Sequence, residues 1–246
     1  MESKELLRRI DDLSARAAQR SVITHTAFLT PAEVAAAQAV HLARAPVFHG
    51  GYAEAERKMA FFLPDWMEES DFTSEEFIAA LRVNTPFAAP THRDFLGSVL
   101  GLGVERDAVG DIVPMENGAY VLLSAELAEF VRSQLARIGR AGAQTCLVPL
   151  SEVPRPQYET REISFTVMSA RLDAVTAGLF GVSRTVAAQA ITDGKVALNH
   201  VECLKPDAEA REGDVIALRG KGKAKITQFG GVSRKGRQFL TGELYI

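Results

Sequence analysis

Apolar and polar positions alternate with helical spacing at the start of this chain. In "ELLRRIDDL" the leucines and isoleucine recur on one face, which predicts an amphipathic helix near the amino terminus. A second helix is predicted to begin after Thr30, because a threonine N-cap with Pro31 at the first helical position and Glu33 at the third is a strong start signal. Residues 1–75 are therefore predicted to form a helical domain.

The stretch "FHGGYAEAERKMAFFLPDW" contains a glycine pair, Gly50-Gly51, followed by a third predicted helix over Tyr52–Phe62 that Pro64 ends. The glycine pair is interpreted as a helix stop, with a close approach of the backbone to a ligand as the alternative.

The pattern changes at residue 76, where short apolar runs indicate strands. "FIAALRV" is a predicted strand, and "THRDFLGSVLGLG" is a predicted helix with Thr91 as its cap. "AVGDIVPM" and "AYVLLS" form a predicted hairpin across "ENG". "AELAEFVRSQLARIG" is a predicted helix closed by Gly139, and "AQTCLVPL" is the last strand. This βαββαβ order predicts a ferredoxin-like domain over 76–152.

A third region follows a predicted linker and strand over 153–164, where Pro154 and Pro156 favour extended chain. Residues 165–246 contain two predicted short helices, Leu172–Leu179 and Thr185–Thr192. Short strands are predicted around Val196, Val201, Val215, Ile226 and Leu240. The predicted fold class is therefore α+β, with a helical amino-terminal region and two further domains.

Charge divides the chain into two parts. The net charge of the 246 residues is −3, but from Arg161 onward there are 13 Lys/Arg against 9 Asp/Glu, and the remainder is acidic with a net charge of −7. This asymmetry is expected when one domain binds a polyanion, although a difference of this size also arises between two ordinary domains.

Other sequence features indicate a cytoplasmic protein without cofactors. Cys146 and Cys203 are widely spaced, which excludes a zinc ribbon or disulfide framework and suits a reducing compartment. The five histidines show no metal-ligand spacing, and "GSVLGLG" does not match a phosphate-binding loop. No apolar run is long enough to span a membrane, and the amino terminus does not resemble a signal peptide.

The stretch "FGVSRTVAAQAITDGKVALNH" places Arg184 on the first turn of a helix capped by Ser183. A cation there opposes the helix dipole, but a bound phosphate would satisfy both the cation and the free backbone amides. Arg171 opens the preceding helix in the same way, and Lys195 lies one short turn further on. The alternative is that Arg184 pairs with a local carboxylate such as Asp173.

Asp173 lies in "RLDAVTAG", which is similar to the catalytic motif of one class of pseudouridine synthases. Only 73 residues follow it, too few for such a catalytic domain. Asp173 is therefore interpreted as a capping residue at a helix start.

Ordered motifs over residues 171–226 resemble the S-four RNA-binding domain, which is named for the fourth small-subunit ribosomal protein. These motifs are "RLD" at 171, "SRT" at 183, "GKV" at 194 with Asn199, and "EGD" at 212 before "VIALRG". The resemblance implies binding of structured RNA through phosphates and shape. It implies contacts from a set of residues in both helices and the next strand: Arg171, Ser183, Arg184, Thr185, Lys195 and Asn199.

The order of the "FHGGY", "HRDFLGSVLGLG" and carboxy-terminal motifs resembles the bacterial YlmH family over nearly the whole chain. The resemblance implies binding to the large ribosomal subunit with tRNA, in ribosome-associated quality control of stalled nascent chains. The resemblance also implies that the central domain is similar to an RNA-recognition motif. This domain lacks the aromatic strand motif that stacks bases in RNA-recognition motifs and offers only Tyr120. It therefore either contacts RNA backbone or ribosome, or serves as a scaffold.

A basic segment, "RGKGKAKITQFGGVSRKGR", extends the predicted RNA surface. Its glycine-spaced cations suit contact with phosphates, with an ordinary solvated hairpin as the alternative. The residues assigned to RNA in this segment are Arg219, Lys221, Lys223 and Lys225. Arg234, Lys235 and Arg237 follow in its tip.

These observations predict a non-enzymatic, monomeric RNA-binding factor. Its expected partners are ribosomal RNA and tRNA on the large ribosomal subunit, with no DNA, membrane, metal or cofactor. One alternative is an RNA-modifying enzyme similar to a pseudouridine synthase. Another is a scaffold linked to cell division that binds proteins through the acidic amino-terminal region.

Overall fold

A computed structural model describes residues 3–86, 88–155 and 160–245 of the chain. The chain forms two compact units, one on each side of residues 156–159. The linker predicted around Pro154 and Pro156 therefore lies partly outside the described residues. Both units combine helices with antiparallel sheets, which confirms the predicted α+β class.

The amino-terminal unit consists of short helices and strands. In chain order they are α1 (Ser3–Arg20), β1 (Thr24–His25), α2 (Pro31–Gln38), β2 (Val47–His49), β3 (Met59–Phe62), β4 (Ile78–Asn84), α3 (His92–Leu100), β5 (Val109–Met115), β6 (Gly118–Ser124), α4 (Ala125–Gln134), β7 (Arg137–Ile138), β8 (Ala141–Gly142) and β9 (Gln144–Val148). Short 3₁₀ turns lie at Glu69–Asp71, Arg106–Ala108 and Leu150–Glu152.

The two predicted amino-terminal helices are confirmed. Helix α1 buries Leu6, Ile10 and Ala17 along one face. Helix α2 begins in a capping box, in which the amide of Glu33 donates to Thr30 Oγ1 at 3.3 Å and the amide of Thr30 donates to Glu33 Oε2 at 2.7 Å. The local sequence alone specifies this capping box, because Thr30 and Glu33 lie within one helical turn of each other.

The helix predicted over residues 52–62 is wrong, and so is the prediction that residues 1–75 are helical throughout, because this range also contains a three-stranded sheet. Met59–Phe62 is instead a strand at the centre of a sheet with order β1-β3-β2, and all four of its residues are buried. Met59 and Phe61 join one hydrophobic cluster, whereas Ala60 and Phe62 join another. A strand covered on both faces has a continuous apolar run, so periodicity does not separate it from a helix.

Gly50 is required by the packing of the chain itself. A Cβ atom at Gly50 would lie 2.3 Å from Ala55 Cβ and 2.4 Å from the carbonyl oxygen of Arg57. The glycine pair therefore does not stop a helix. At Gly50 the close approach is made by the backbone of the following loop.

The central sheet has the strand order β5-β6-β4-β9, with every pair antiparallel. Its predicted strands are confirmed, as is helix α3, whose cap Thr91 forms a capping box with Asp94. Helix α4 ends at Gln134, earlier than predicted, and Gly139 with φ +54° turns a small hairpin of β7 and β8. Helices α3 and α4 contribute Phe95, Val99 and Val131 to the cluster on one face of this sheet.

The opposite face of the central sheet is covered by the amino-terminal part of the same unit. Phe28, Met59 and Phe61 share a hydrophobic cluster with Ile78 and Leu122 of strands β4 and β6. In an RNA-recognition motif this face presents aromatic side chains to bases. At these positions the face is buried and cannot stack a base.

The carboxy-terminal unit is a sheet with two helices packed on one face. Its elements are β10 (Thr160–Val167), α5 (Leu172–Phe180), α6 (Arg184–Thr192), β11 (Val196–Leu198), β12 (Val201–Glu202), β13 (Val215–Leu218), β14 (Gly222–Val232) and β15 (Gln238–Tyr245). The sheet order is β10-β15-β14-β13-β11-β12. The two predicted helices and the predicted short strands are confirmed.

The core of this unit lies between the helices and the sheet. Leu172, Leu179 and Ile191 from the helices pack against Ile216 and Ile226 from the strands. Since Ala224 and Ile226 face this core, the alternating Lys223 and Lys225 lie on the outer face of the sheet.

Within the described ranges, no single helix is long and apolar enough to cross a membrane. Helices α5 and α6 reach the required length and composition only as a pair, with a bend of 116° at the break between them. The same part of the chain contains no cluster of three or more His, Cys, Asp or Glu side chains placed to hold a metal ion. Cys146 and Cys203 are free thiols.

Candidate functional site

The starts of helices α5 and α6 differ in how their backbone amides are satisfied. At α5 the amides of Leu172 and Asp173 donate to the carbonyls of Ala208 and Pro206, at 2.8 and 2.9 Å. A covering loop therefore occupies this helix start, and the prediction of free amides is wrong there. At α6, Ser183 Oγ accepts from the amide of Val186 at 3.2 Å.

The start of α6 is open to solvent. Ser183, Arg184, Thr185 and Val186 are all exposed. The amides of Arg184 and Thr185 have no hydrogen-bond partner among the residues that the structure describes. This end of the helix therefore presents donors and the positive end of a dipole to the solvent, as an anion requires.

Asp173 bridges the two arginines that open the helices. Arg171 Nη2 donates to Asp173 Oδ2 at 3.0 Å, and Arg184 Nη2 lies 3.2 Å from the same carboxylate. The alternative prediction, that Arg184 pairs with Asp173, is confirmed. The prediction that Asp173 caps a helix is wrong, because the N-cap of α5 is Arg171 and no side chain in the described part of the chain caps the amides of this helix.

The bridge combines a buried carboxylate with two half-exposed guanidinium groups. The side chain of Asp173 is 6% exposed, whereas those of Arg171 and Arg184 are 41% and 55% exposed. Burial alone would raise the pKa of Asp173, but hydrogen bonds from Arg171 and Arg184, together with their charges, lower it below its ordinary value. The hydrogen bond to Asp173 raises the pKa of Arg171. Asp207 is a further carboxylate close enough to Arg171 to raise its pKa. We call Arg171, Asp173 and Arg184 the arginine bridge; both of its guanidinium groups remain partly open to solvent.

Lys195 and Arg219 form a second group at the other end of α6. The amide of Arg219 donates to the carbonyl of Lys195 at 2.9 Å, so the two residues are neighbours. Lys195 Nζ donates to Asp193 Oδ2 at 2.9 Å, and this hydrogen bond lowers the pKa of Asp193. Helix α6 has 9 residues, so this group lies about 13 Å from Arg184 along the helix.

Asn199 has an internal structural role. Its φ of 49° places it in a left-handed turn between β11 and β12. Its side chain donates to Asp214 Oδ1 at 2.7 Å and accepts from the amide of Val215 at 2.9 Å. These contacts hold the turn against β13, and an RNA contact from Asn199 stays a prediction.

The remaining predicted RNA contacts lie on other surfaces. Lys223 Nζ lies 4.9 Å from the ring centroid of Tyr245, on the outer face of the sheet. Lys225 lies on the same face opposite Glu243. Lys221 lines a separate groove at the end of α5 with Arg161, a cation that the sequence analysis did not single out. The structure therefore brings Arg171 and Arg184 together, but not the whole predicted set.

The basic hairpin tip between β14 and β15 is partly tied to the fold. Arg234, Lys235 and Arg237 are all exposed, and Arg237 Nη2 also donates to the carbonyl of Thr166 at 2.8 Å.

Comparison with known proteins identifies the family of this chain. A family model described as "YlmH, N-terminal" matches residues 2–63, and one described as "Putative RNA-binding domain in YlmH" matches residues 68–152. The chain is 34% identical over 198 residues to "Ribosome-associated protein quality control protein P2" of Bacillus subtilis (strain 168), covering 80% of this chain and 76% of that protein. The chain belongs to the YlmH family.

A solved YlmH structure is also similar to this YlmH-family chain. It is titled "Cell division protein ylmH from Streptococcus pneumoniae" and is 20% identical, with a TM-score of 0.49. The match covers 63% of this chain and 96% of that chain. The model that matches residues 68–152 describes a putative RNA-binding domain, and the relative from Bacillus subtilis is named as ribosome-associated.

Proposed function

We propose that this protein binds structured ribosomal RNA and tRNA on the large ribosomal subunit, as a cytoplasmic, monomeric factor in quality control of stalled nascent chains. The observation that carries the proposal is the arginine bridge beside the open start of α6. Guanidinium groups and free amides together bind phosphate oxygens with charge-assisted hydrogen bonds. The relative from Bacillus subtilis is named for ribosome-associated quality control, which supports the process.

The proposed domain organisation has an S-four-type domain over 165–246 after a linker and strand at 153–164. It follows a ferredoxin-like domain over 76–152 and an amino-terminal domain over 1–75. The strand order β5-β6-β4-β9 and the two helices on one face of the sheet support the assignment of the central domain. The helix pair and the turn at Asn199 support the S-four assignment.

A catalytic role for Asp173 is not supported by its surroundings. A nucleophilic carboxylate has to reach its substrate, whereas Asp173 is 6% exposed and accepts hydrogen bonds from two arginines. We therefore propose that the protein has no catalytic site in this motif, and that Asp173 positions the two guanidinium groups.

Replacing Arg184 with alanine is expected to weaken binding to tRNA and to large ribosomal subunits roughly fivefold to tenfold. The slope of log K against log salt should fall by about 0.9, because one phosphate contact is lost. The fold should persist, since Arg171 still pairs with Asp173. Filter binding across a salt series measures both quantities.

Arg211→Ala is the matched control for this prediction. Arg211 lies in the same unit and is 77% exposed, and among the described residues its side chain pairs only with Glu209, at 3.6 Å. An equal loss in both variants would indicate a general charge effect, and an unchanged affinity of Arg184→Ala would refute the role of the arginine bridge. Sedimentation of the protein with large subunits at low salt, lost at high salt, tests the ribosomal partner.

A further inference from the structure

The "FHGGY" stretch lines an open pocket of about 490 Å³ in the amino-terminal unit. Phe48, His49 and Tyr52 come from β2 and the loop after it, and Phe72 comes from a segment that follows β3. Lys58 and Glu75 also line this pocket. We call it the aromatic pocket.

The walls of the aromatic pocket are fixed by contacts below them. The rings of His49 and Phe72 meet edge to face with centroids 5.7 Å apart, and Phe72 packs on the buried Phe61 at 4.8 Å. Tyr52 Oη donates to Asp111 Oδ2 at 2.7 Å. A pocket held this way loses little conformational entropy when it binds a planar group.

The surroundings of the pocket are acidic. Residues 65–76, "DWMEESDFTSEE", contain six carboxylates and no Lys or Arg, and Glu75 of this segment lines the pocket. Lys58 is the one Lys or Arg among its lining residues in the described part of the chain. The first 160 residues carry a net charge of −7. Lys58 and Glu75 balance each other within the pocket, so the acidic segment that supplies one wall is what favours a cationic ligand over a phosphate.

We propose that the aromatic pocket binds an arginine side chain from a basic segment of a partner protein. The faces of aromatic rings carry negative potential and attract cations, and a planar guanidinium also stacks on them. Glu75 supplies a carboxylate at the same site for the guanidinium to donate to. This inference is independent of the RNA contacts of the carboxy-terminal unit, and it assigns protein recognition to the acidic unit.

The test uses the full chain and a short arginine-rich peptide that carries a benzophenone side chain for photocrosslinking. Trypsin cleaves after Arg44 and Arg57, so one fragment contains Phe48, His49 and Tyr52. We expect this fragment to carry the peptide after irradiation. An oligouridylate containing thiouridine should crosslink elsewhere in the chain. The proposal is overturned if the RNA probe labels residues 45–57, or if the peptide does not.

Replacing the charged lining residues Glu75 and Lys58 tests the sign of the charge effect on peptide affinity and leaves the aromatic residues of the pocket unchanged. Glu75→Gln should weaken binding of the arginine peptide about threefold, and Lys58→Gln should strengthen it about twofold. A lysine peptide of equal charge should bind about threefold more weakly, because an ammonium group cannot stack. Equal affinity for the two peptides, or no opposite response of the two variants, would disprove the proposal.

One variant that fills the pocket and one control variant outside it test where the peptide binds. Ala53 is exposed and lines the pocket, so Ala53→Trp should fill it and abolish labelling of residues 45–57. Phe130→Ala removes an aromatic ring that is 45% exposed on α4, outside the pocket, and should leave labelling unchanged. Retained labelling in Ala53→Trp, or equal loss in Phe130→Ala, would show that the peptide binds outside the pocket.

Discussion

Replacing Asp173 with asparagine is expected to destabilise the carboxy-terminal unit by about 2 kcal/mol at neutral pH. The substitution leaves two guanidinium groups facing each other without the carboxylate that they share. Removing one partner of a fully buried ion pair costs about 3–5 kcal/mol. The expected cost is smaller here because both arginines are about half exposed, so water can solvate them again. Urea unfolding of the full chain, monitored by a spectroscopic probe placed in the carboxy-terminal unit, measures the change in unfolding free energy.

The same variant should reveal the pH dependence of the bridge. The pKa of Asp173 in the folded protein lies below the value of 3.8 expected for an unfolded chain. Stability from its ionised form is therefore fully present above 3.8 and is lost as pH falls through the folded pKa. The difference between wild type and Asp173→Asn should be constant near neutrality and shrink in acid.

Asp193→Asn provides the control for Asp173. Asp193 also has a lowered pKa, owing first to its hydrogen bond from Lys195, but this pair lies at the surface. Exposed ion pairs contribute little to stability, so the control should change it only slightly. If the two variants lose similar amounts of unfolding free energy, the arginine bridge stabilises this unit no more than an exposed ion pair does.

Replacing Gly118 with alanine is expected to destabilise the amino-terminal unit by at least about 3 kcal/mol. Gly118 has a φ of 148°, and a Cβ atom there would lie 1.9 Å from the carbonyl oxygen of Val83. That oxygen belongs to β4, which pairs on both sides within the central sheet, so the backbone cannot move aside. Thermal unfolding should show a large drop in the melting temperature.

Replacing Gly97 with alanine should instead increase the stability of the amino-terminal unit. Gly97 lies inside α3, and no atom of the residues that the structure describes lies within 4 Å of an added Cβ atom. Alanine there should stabilise the unit by roughly 0.5–1 kcal/mol, since it lowers the entropy cost of forming the helix. A loss of stability in Gly97→Ala would contradict the packing described for α3.

Features set by neighbouring residues could be predicted from the sequence. The caps at Thr30 and Thr91 and the hairpin before Gly118 depend on groups within a few positions of each other. The positions of α5 and α6 were also predictable, because apolar spacing and turn residues frame both helices. Local chemistry decides these elements.

Features set by distant residues could not be predicted in the same way. The strand Met59–Phe62 looks helical in isolation, and only its burial between two clusters distinguishes it. The loop that occupies the amides of Leu172 and Asp173 comes from residues more than thirty positions away. Lys223 and Arg184 lie on opposite sides of the carboxy-terminal sheet, and this placement likewise depends on how the helices pack on the sheet.

Two regions that match separate family models, residues 2–63 and 68–152, pack against each other on the covered face of the central sheet. Phe28 belongs to the matched stretch 2–63, and Gly110 belongs to the matched stretch 68–152. A Cβ atom on Gly110 would lie 2.7 Å from the ring of Phe28. Substitutions at these two positions should therefore co-vary among relatives, and exchange of one stretch between distant homologues should produce chimaeras that pack badly.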